Sequence, residues 1–273
     1  METIPVKASA KEALTLPFKH FGEFLRFSFW PMMIMWISQW VSGTLAVATG
    51  YAPFGLLWLP AYWTISVPFS VSWMRLAILG VGGNTGRSWH TFGRKEFKFL
   101  LMLLTMTLLF LLFLVVPSAL VLYIAYLMEW AAVPLILACV LLIANIAVGI
   151  RFTFIWPAIA VDSYVGLKTA WKQTRSVVLR IIAVCFLSQF PIGFGIGFET
   201  SILRRIILHL SETTSADQAP LLVVLGAADV FVEVLLLFLS TAVNAGAIAV
   251  SFRYRMDPAP FVARQAVDVV GHT

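Results

Sequence analysis

Charge is what this chain has least of. Lysine, arginine, aspartate and glutamate make up 12% of its 273 residues, about half the share of a soluble domain. A water-soluble fold could not cover its surface with so few. Cysteine is scarce too. Cys139 and Cys185 both lie inside apolar stretches, where they read as small hydrophobes rather than a disulfide framework or a metal site. His20, His90, His209 and His272 are scattered, without metalloprotease spacing. A nucleophile elbow and a phosphate-binding glycine loop are missing as well. The expectation is a protein with no catalytic residues, no metal and no cofactor. Polar sequence is short, the longest tract being the loop-like 211–219, so the whole chain reads as one integral domain. The first twenty residues carry Glu2, Lys7, Lys11, Glu12 and Lys19 without a short apolar run ending in a small-residue cleavage site. The first membrane helix is therefore expected to act as its own insertion signal.

Apolar sequence is abundant: hydrophobic residues make up 60% of the chain. They gather into six stretches, 24–47, 55–80, 97–125, 133–156, 180–198 and 221–250. Each reaches the roughly 20 residues that about 30 Å of hydrocarbon demands of a helix. The pattern predicts an all-α polytopic membrane protein of six transmembrane helices.

Basic residues resist translocation and so report orientation. Seventeen of the nineteen Lys and Arg residues fall on one side: before the first stretch, after the last, on alternate connections, or within the stretch ends that adjoin these. Only Arg204 and Arg205 fall on the other side. Both termini are thus expected in the cytoplasm. The formal charge of +6 is explained by topology and by attraction to anionic headgroups, worth about 1 kcal/mol per basic residue near the surface. Nucleic-acid binding is not needed to account for it.

A weak repeat runs through the chain. Phe18-Lys19-His20-Phe21-Gly22 precedes the first stretch, and Trp89-His90-Thr91-Phe92-Gly93 precedes the third. Trp171 to Arg175 holds the equivalent place before the fifth. The even-numbered stretches each deliver an arginine beside bulky apolar residues, at Arg75, Arg151 and Arg253. Such a residue can bury its stem and reach the headgroups. Three duplicated hairpins with short interfacial amphipathic helices would give this pattern. So would the ordinary taste of an inner-leaflet junction for aromatic and basic residues. Segment 163–178 reads as one interfacial helix, with Tyr164, Leu167, Ala170, Trp171 and Val178 on one face and Lys168, Lys172 and Arg175 on the other. Segment 202–210 reads as a second, on the outer surface. Anionic membrane lipid is the partner these residues predict, with Arg75, Arg151, Lys168, Lys172, Arg175 and Arg253 as its contacts.

The run Arg151-Phe152-Thr153-Phe154-Ile155-Trp156-Pro157-Ala158-Ile159-Ala160-Val161-Asp162, followed by Gly166, Ala170, Trp171 and Ser176, resembles the membrane domain attached to some bacterial glycerophosphodiester phosphodiesterases. It also resembles related six-span bacterial inner-membrane proteins. The resemblance implies a bacterial inner-membrane location and a helical architecture. It does not imply phosphodiesterase activity, because in that enzyme the chemistry belongs to a separate soluble barrel.

Within the spans, Asp229 and Glu233 lie four residues apart and share a helical face. Counted from Pro220, they stand about 14 and 20 Å into the sixth stretch. Gln189, Asn145 and Asn244 are plausible polar neighbours. Two readings are open: a proton- or cation-coupled transport site, or a structural polar cluster. Gly193 and Gly197 form a small-xxx-small pair for close helix packing, or else mark a helix broken for substrate together with Pro191 and Gly195. Trp30, Trp36, Trp40, Trp58, Trp63, Trp73, Trp130 and Trp156 are expected to mark span ends as an aromatic belt. The function expected from all this is non-enzymatic: contact with lipids or with an envelope partner, with small-cation transport as the alternative.

Overall fold

A computed structural model of the chain describes residues 4–81, 93–112, 116, 117, 119–121, 123, 132–163, 165–213 and 219–256. Among these the fold is all-helical, without a strand. In order come α1 (Val6–Lys19), α2 (Phe21–Thr49), a 3-10 turn (Ala52–Leu56) and α3 (Trp58–Leu79). Then follow α4 (Arg94–Phe110), α5 (Ala132–Arg151), α6 (Ile155–Ala160), α7 (Leu167–Thr174), α8 (Val178–Thr213) and α9 (Ala219–Arg255).

Among the described residues, four stretches are long and apolar enough to cross a membrane: Phe21–Thr49, Ala52–Leu79, Val178–Glu199 and Val223–Arg255. They correspond to the first, second, fifth and sixth of the expected six. The third begins with α4 and runs beyond the described residues; the fourth contains α5, a helix of 20 residues. Local chemistry sets several ends. Gly50 and Gly80 stop α2 and α3 at φ 67° and 75°, a conformation that only glycine adopts freely. At the start of α4, the Glu96 carboxylate accepts the Gly93 N–H at 2.9 Å and supplies one of the partners that a helix N-terminus lacks.

The helices are not packed evenly along their lengths. Buried residues occupy the first half of α2 and α8 (Phe24, Phe27, Met35; Ile181, Val184) and the second half of α3 and α9 (Val67, Phe69, Trp73; Phe238, Ala242, Phe252). All these halves lie at one end, the end that holds most of the basic residues. At the other end Val47, Leu57, Phe194, Phe198 and Val223 are exposed. The centre of the packed end is α9, which touches α8, α1, α3, α2 and α6. An aromatic cluster ties three of the helices together. Phe24 of α2 meets Trp73 of α3 edge-on at 5.8 Å, Trp73 stacks on Phe69 at 6.1 Å, and Phe69 meets Phe238 of α9 at 5.2 Å.

Several local expectations change in three dimensions. Helix α1 keeps an exposed face carrying Lys7, Lys11 and Lys19, but its other face is covered by protein. It packs against α8 and α9, with Ser9, Ala10, Ala13 and Leu16 buried. The reason is size: small residues on α1 face Gly246 of α9, where an added Cβ would stand 3.5 Å from Leu16 Cδ2 and 3.8 Å from Ala13 Cα. By contrast no described atom stands within 4 Å of where a Cβ would point on Gly193, Gly195 or Gly197. Segment 202–210 is not a separate surface helix but the continuation of α8. No proline or glycine stands between Gly197 and Thr213 to stop it. Trp73 is fully buried rather than part of a belt. The second copy of the repeat, 89–92, lies outside the described residues.

Candidate functional site

The basic end is knitted together by its arginines. Arg75 is 6% exposed and donates to the Ala160 carbonyl at 2.7 Å, joining α3 to α6. Arg253 pairs with Glu12 of α1 and donates to the Ala77 carbonyl at 3.1 Å. Arg151 lies over the Trp171 ring, 4.5 Å from its centroid, a cation–π contact. The sequence places all three where they could reach headgroups; the structure gives each a protein partner. Lys168, Lys172 and Arg175 of the α7 segment are exposed. The buried residues of α7 are Ala170 and Thr174, while Leu167 and Trp171 face outward with the lysines.

Beside α7 lies a cavity of about 480 Å³ between α4 and the α6–α7 segment. Lys95, Lys98 and Asp162 line it, together with the buried or half-buried apolar Met102, Ile155 and Ile159. Lys95 pairs with Asp162. Asp162 holds a left-handed backbone, φ 57°, which aspartate tolerates better than most residues. The cavity therefore brings Lys98 and the Lys95–Asp162 pair together with apolar side chains.

A second cavity, of about 260 Å³, opens between α3, α4, α6 and α9. Phe99 and Trp156, 4.8 Å apart, contribute to its wall together with Tyr62 and Trp63, and Ser66, Ser70, Thr241 and Asn244 line it too. Asn244 is the one exposed residue in 229–256; every other is buried or half-buried. It stands nine residues before Arg253, hence about 14 Å along α9 from the basic end, the midpoint of a hydrocarbon layer of about 30 Å that begins at Arg253. An amide left unpaired in hydrocarbon costs about 4–8 kcal/mol.

The expected carboxylate cluster is only partly assembled. Asp229 is buried and Glu233 half-buried. Gln189 is not with them: its amide donates to the Ser240 carbonyl at 2.7 Å and accepts from the Ser240 hydroxyl at 3.0 Å. That reciprocal pair clamps α8 to α9 and sets their register. Ten residues further along α8 is Glu199, buried; ten residues back along α9 is Val230, next to Asp229. Glu199, which sequence reading passed over, thus stands level with Asp229. Its signal was available as a lone acid near the end of a span. The side chain of Asn145 lies outside the described residues. Depth also changes when counted from the basic end. Glu233 is twenty residues from Arg253, about 30 Å of helix, the full thickness of a hydrocarbon layer beginning at Arg253.

Among the described residues no group of three His, Cys, Asp or Glu side chains could hold a metal. Comparison of the chain with protein-family profiles, with curated proteins and with solved structures finds no match.

Proposed function

We propose that this chain is a non-enzymatic, six-span protein of the bacterial inner membrane, built as three hairpins with both termini cytoplasmic, and that it binds anionic phospholipid at its basic end. The observation that carries this reading is the cavity with Lys95 and Lys98 beside apolar side chains. A phosphate fits the lysines and an acyl chain fits Met102, Ile155 and Ile159. The exposed Lys168, Lys172 and Arg175 beside it extend the same cationic surface, with Leu167 and Trp171 turned outward to enter the bilayer.

The test is native mass spectrometry from nanodiscs of mixed phosphatidylglycerol and phosphatidylcholine, comparing wild type with Lys95→Ala/Lys98→Ala. At about 1 kcal/mol per lysine, the double variant is expected to retain roughly 30-fold less phosphatidylglycerol. Equal retention by both proteins would remove the site.

One observation favours a second reading, cation-coupled transport: Glu199 stands level with Asp229 and adds a third acid to the α8–α9 contact. On that reading, proteoliposomes show a cation or proton flux that Asp229→Asn/Glu233→Gln abolishes. Absence of flux in the wild type would leave the three acids as a helix contact.

A further inference from the structure

We propose that the cavity lined by Asn244 binds the head of an uncharged, ring-headed membrane lipid, of which a quinone is the chemical type. Within 229–256, α9 turns an asparagine outward while its apolar neighbours pack inward. That inverts what a bilayer selects for unless something pairs with the amide. Neighbouring hydroxyls do not. Thr241 donates to the Leu237 carbonyl of its own helix at 2.8 Å, and Ser66 points to the Trp63 carbonyl at 3.5 Å. Their lone pairs stay available as acceptors, and Asn244 offers two N–H donors and a carbonyl. Among the described residues none that is charged lines the cavity, so a charged occupant would find no counter-ion among them. At about 260 Å³ it is slightly smaller than the usual drug-sized pocket of about 300–1,000 Å³. It therefore takes a single ring rather than a whole lipid, and the tail lies outside in hydrocarbon. Aromatic side chains in the wall suit a ring-shaped head. Carbonyl oxygens on that head would accept from the Asn244 amide. This site is separate from the lysine-lined cavity, and neither proposal depends on the other.

Decylubiquinone titrated into the protein in nanodiscs tests the proposal. Trp63 and Trp156 line the cavity, so binding is read as a saturable quenching of tryptophan fluorescence above the linear quenching given by free tryptophan analogue in the same nanodiscs. Asn244→Leu is expected to weaken it by about tenfold, the worth of one hydrogen bond, with Asn244→Gln retaining part of the affinity. Because Asn244 is exposed, Asn244→Leu should melt no lower than wild type, so a loss of binding is not a loss of fold. Decylbenzene, with the same tail and no oxygen, should not compete. The proposal fails if wild type shows no saturable quenching, if Asn244→Leu binds as tightly as wild type, or if decylbenzene competes equally. It also fails if wild type is a dimer that Asn244→Leu turns into a monomer, since the amide would then serve a second copy of the chain.

Discussion

Trp73→Ala is expected to lower the stability of the protein by about 3–5 kcal/mol, the usual cost of emptying a large aromatic site in a packed core. Trp73 is fully buried and joins Phe24 of α2 to Phe69 of its own helix; Phe69 carries the contact on to Phe238 of α9. Three helices lose a shared partner when the indole goes. In a membrane this loss is mainly one of dispersion contacts, because lipid tails are as apolar as the core and supply little hydrophobic drive between helices. Trp30→Ala is the control. It removes the same side chain from an exposed position on α2 and should cost only about 0.5 kcal/mol. Equilibrium unfolding of the two variants in mixed micelles separates them. Equal losses would mean that the aromatic cluster does not hold the bundle together.

Gly246 controls whether α1 stays in the bundle. Gly246→Leu should cost about 1–3 kcal/mol by overpacking and expel α1 from its place against α8 and α9. Gly246→Ala should be neutral or stabilising. Its Cβ meets Leu16 Cδ2 at 3.5 Å and the Ala13 backbone at 3.7 and 3.8 Å, ordinary van der Waals distances, and alanine is favoured over glycine within a helix by about 1 kcal/mol. Atoms beyond Cβ have nowhere to go. The movement is measured with Ser9→Cys, a near-isosteric change at a buried position of α1, in a background without Cys139 and Cys185. Maleimide labelling should be slow with the native glycine and with Gly246→Ala, and fast with Gly246→Leu. Slow labelling in all three proteins would show that α1 is held by something other than this close approach, such as the Glu12–Arg253 pair.

Glu12 and Arg253 show how much of the basic end was legible beforehand. An arginine at the end of the last span was visible in the sequence, and so was its amphipathic character. Its partner was not, because Glu12 is 241 residues away and no local pattern links them. Arg75 is similar. A helix-end arginine reads as a headgroup anchor, yet its guanidinium sits on the Ala160 carbonyl. The glycines follow the same logic in reverse. Gly193 and Gly197 have the right spacing but no described neighbour within 4 Å of a Cβ position, while Ser9 and Ala13 on α1 and Ala242 and Gly246 on α9 carry the same spacing and do pack.

Read alone, the sequence establishes the class of protein and the composition of its long helices: all-helical, with segments apolar and long enough to cross a membrane, and basic residues gathered on alternate connections. These are sums over neighbouring residues, so local chemistry suffices to read them. It took the packing of the helices to show which faces touch each other and that α1 docks one face against α8 and α9. The same packing pairs Gln189 with Ser240 and not with Asp229, and leaves Asn244 facing outward. The difference arises because lipid and protein interior are both apolar. Hydropathy can tell a membrane helix from a soluble one, but it cannot tell the side that meets lipid from the side that meets another helix.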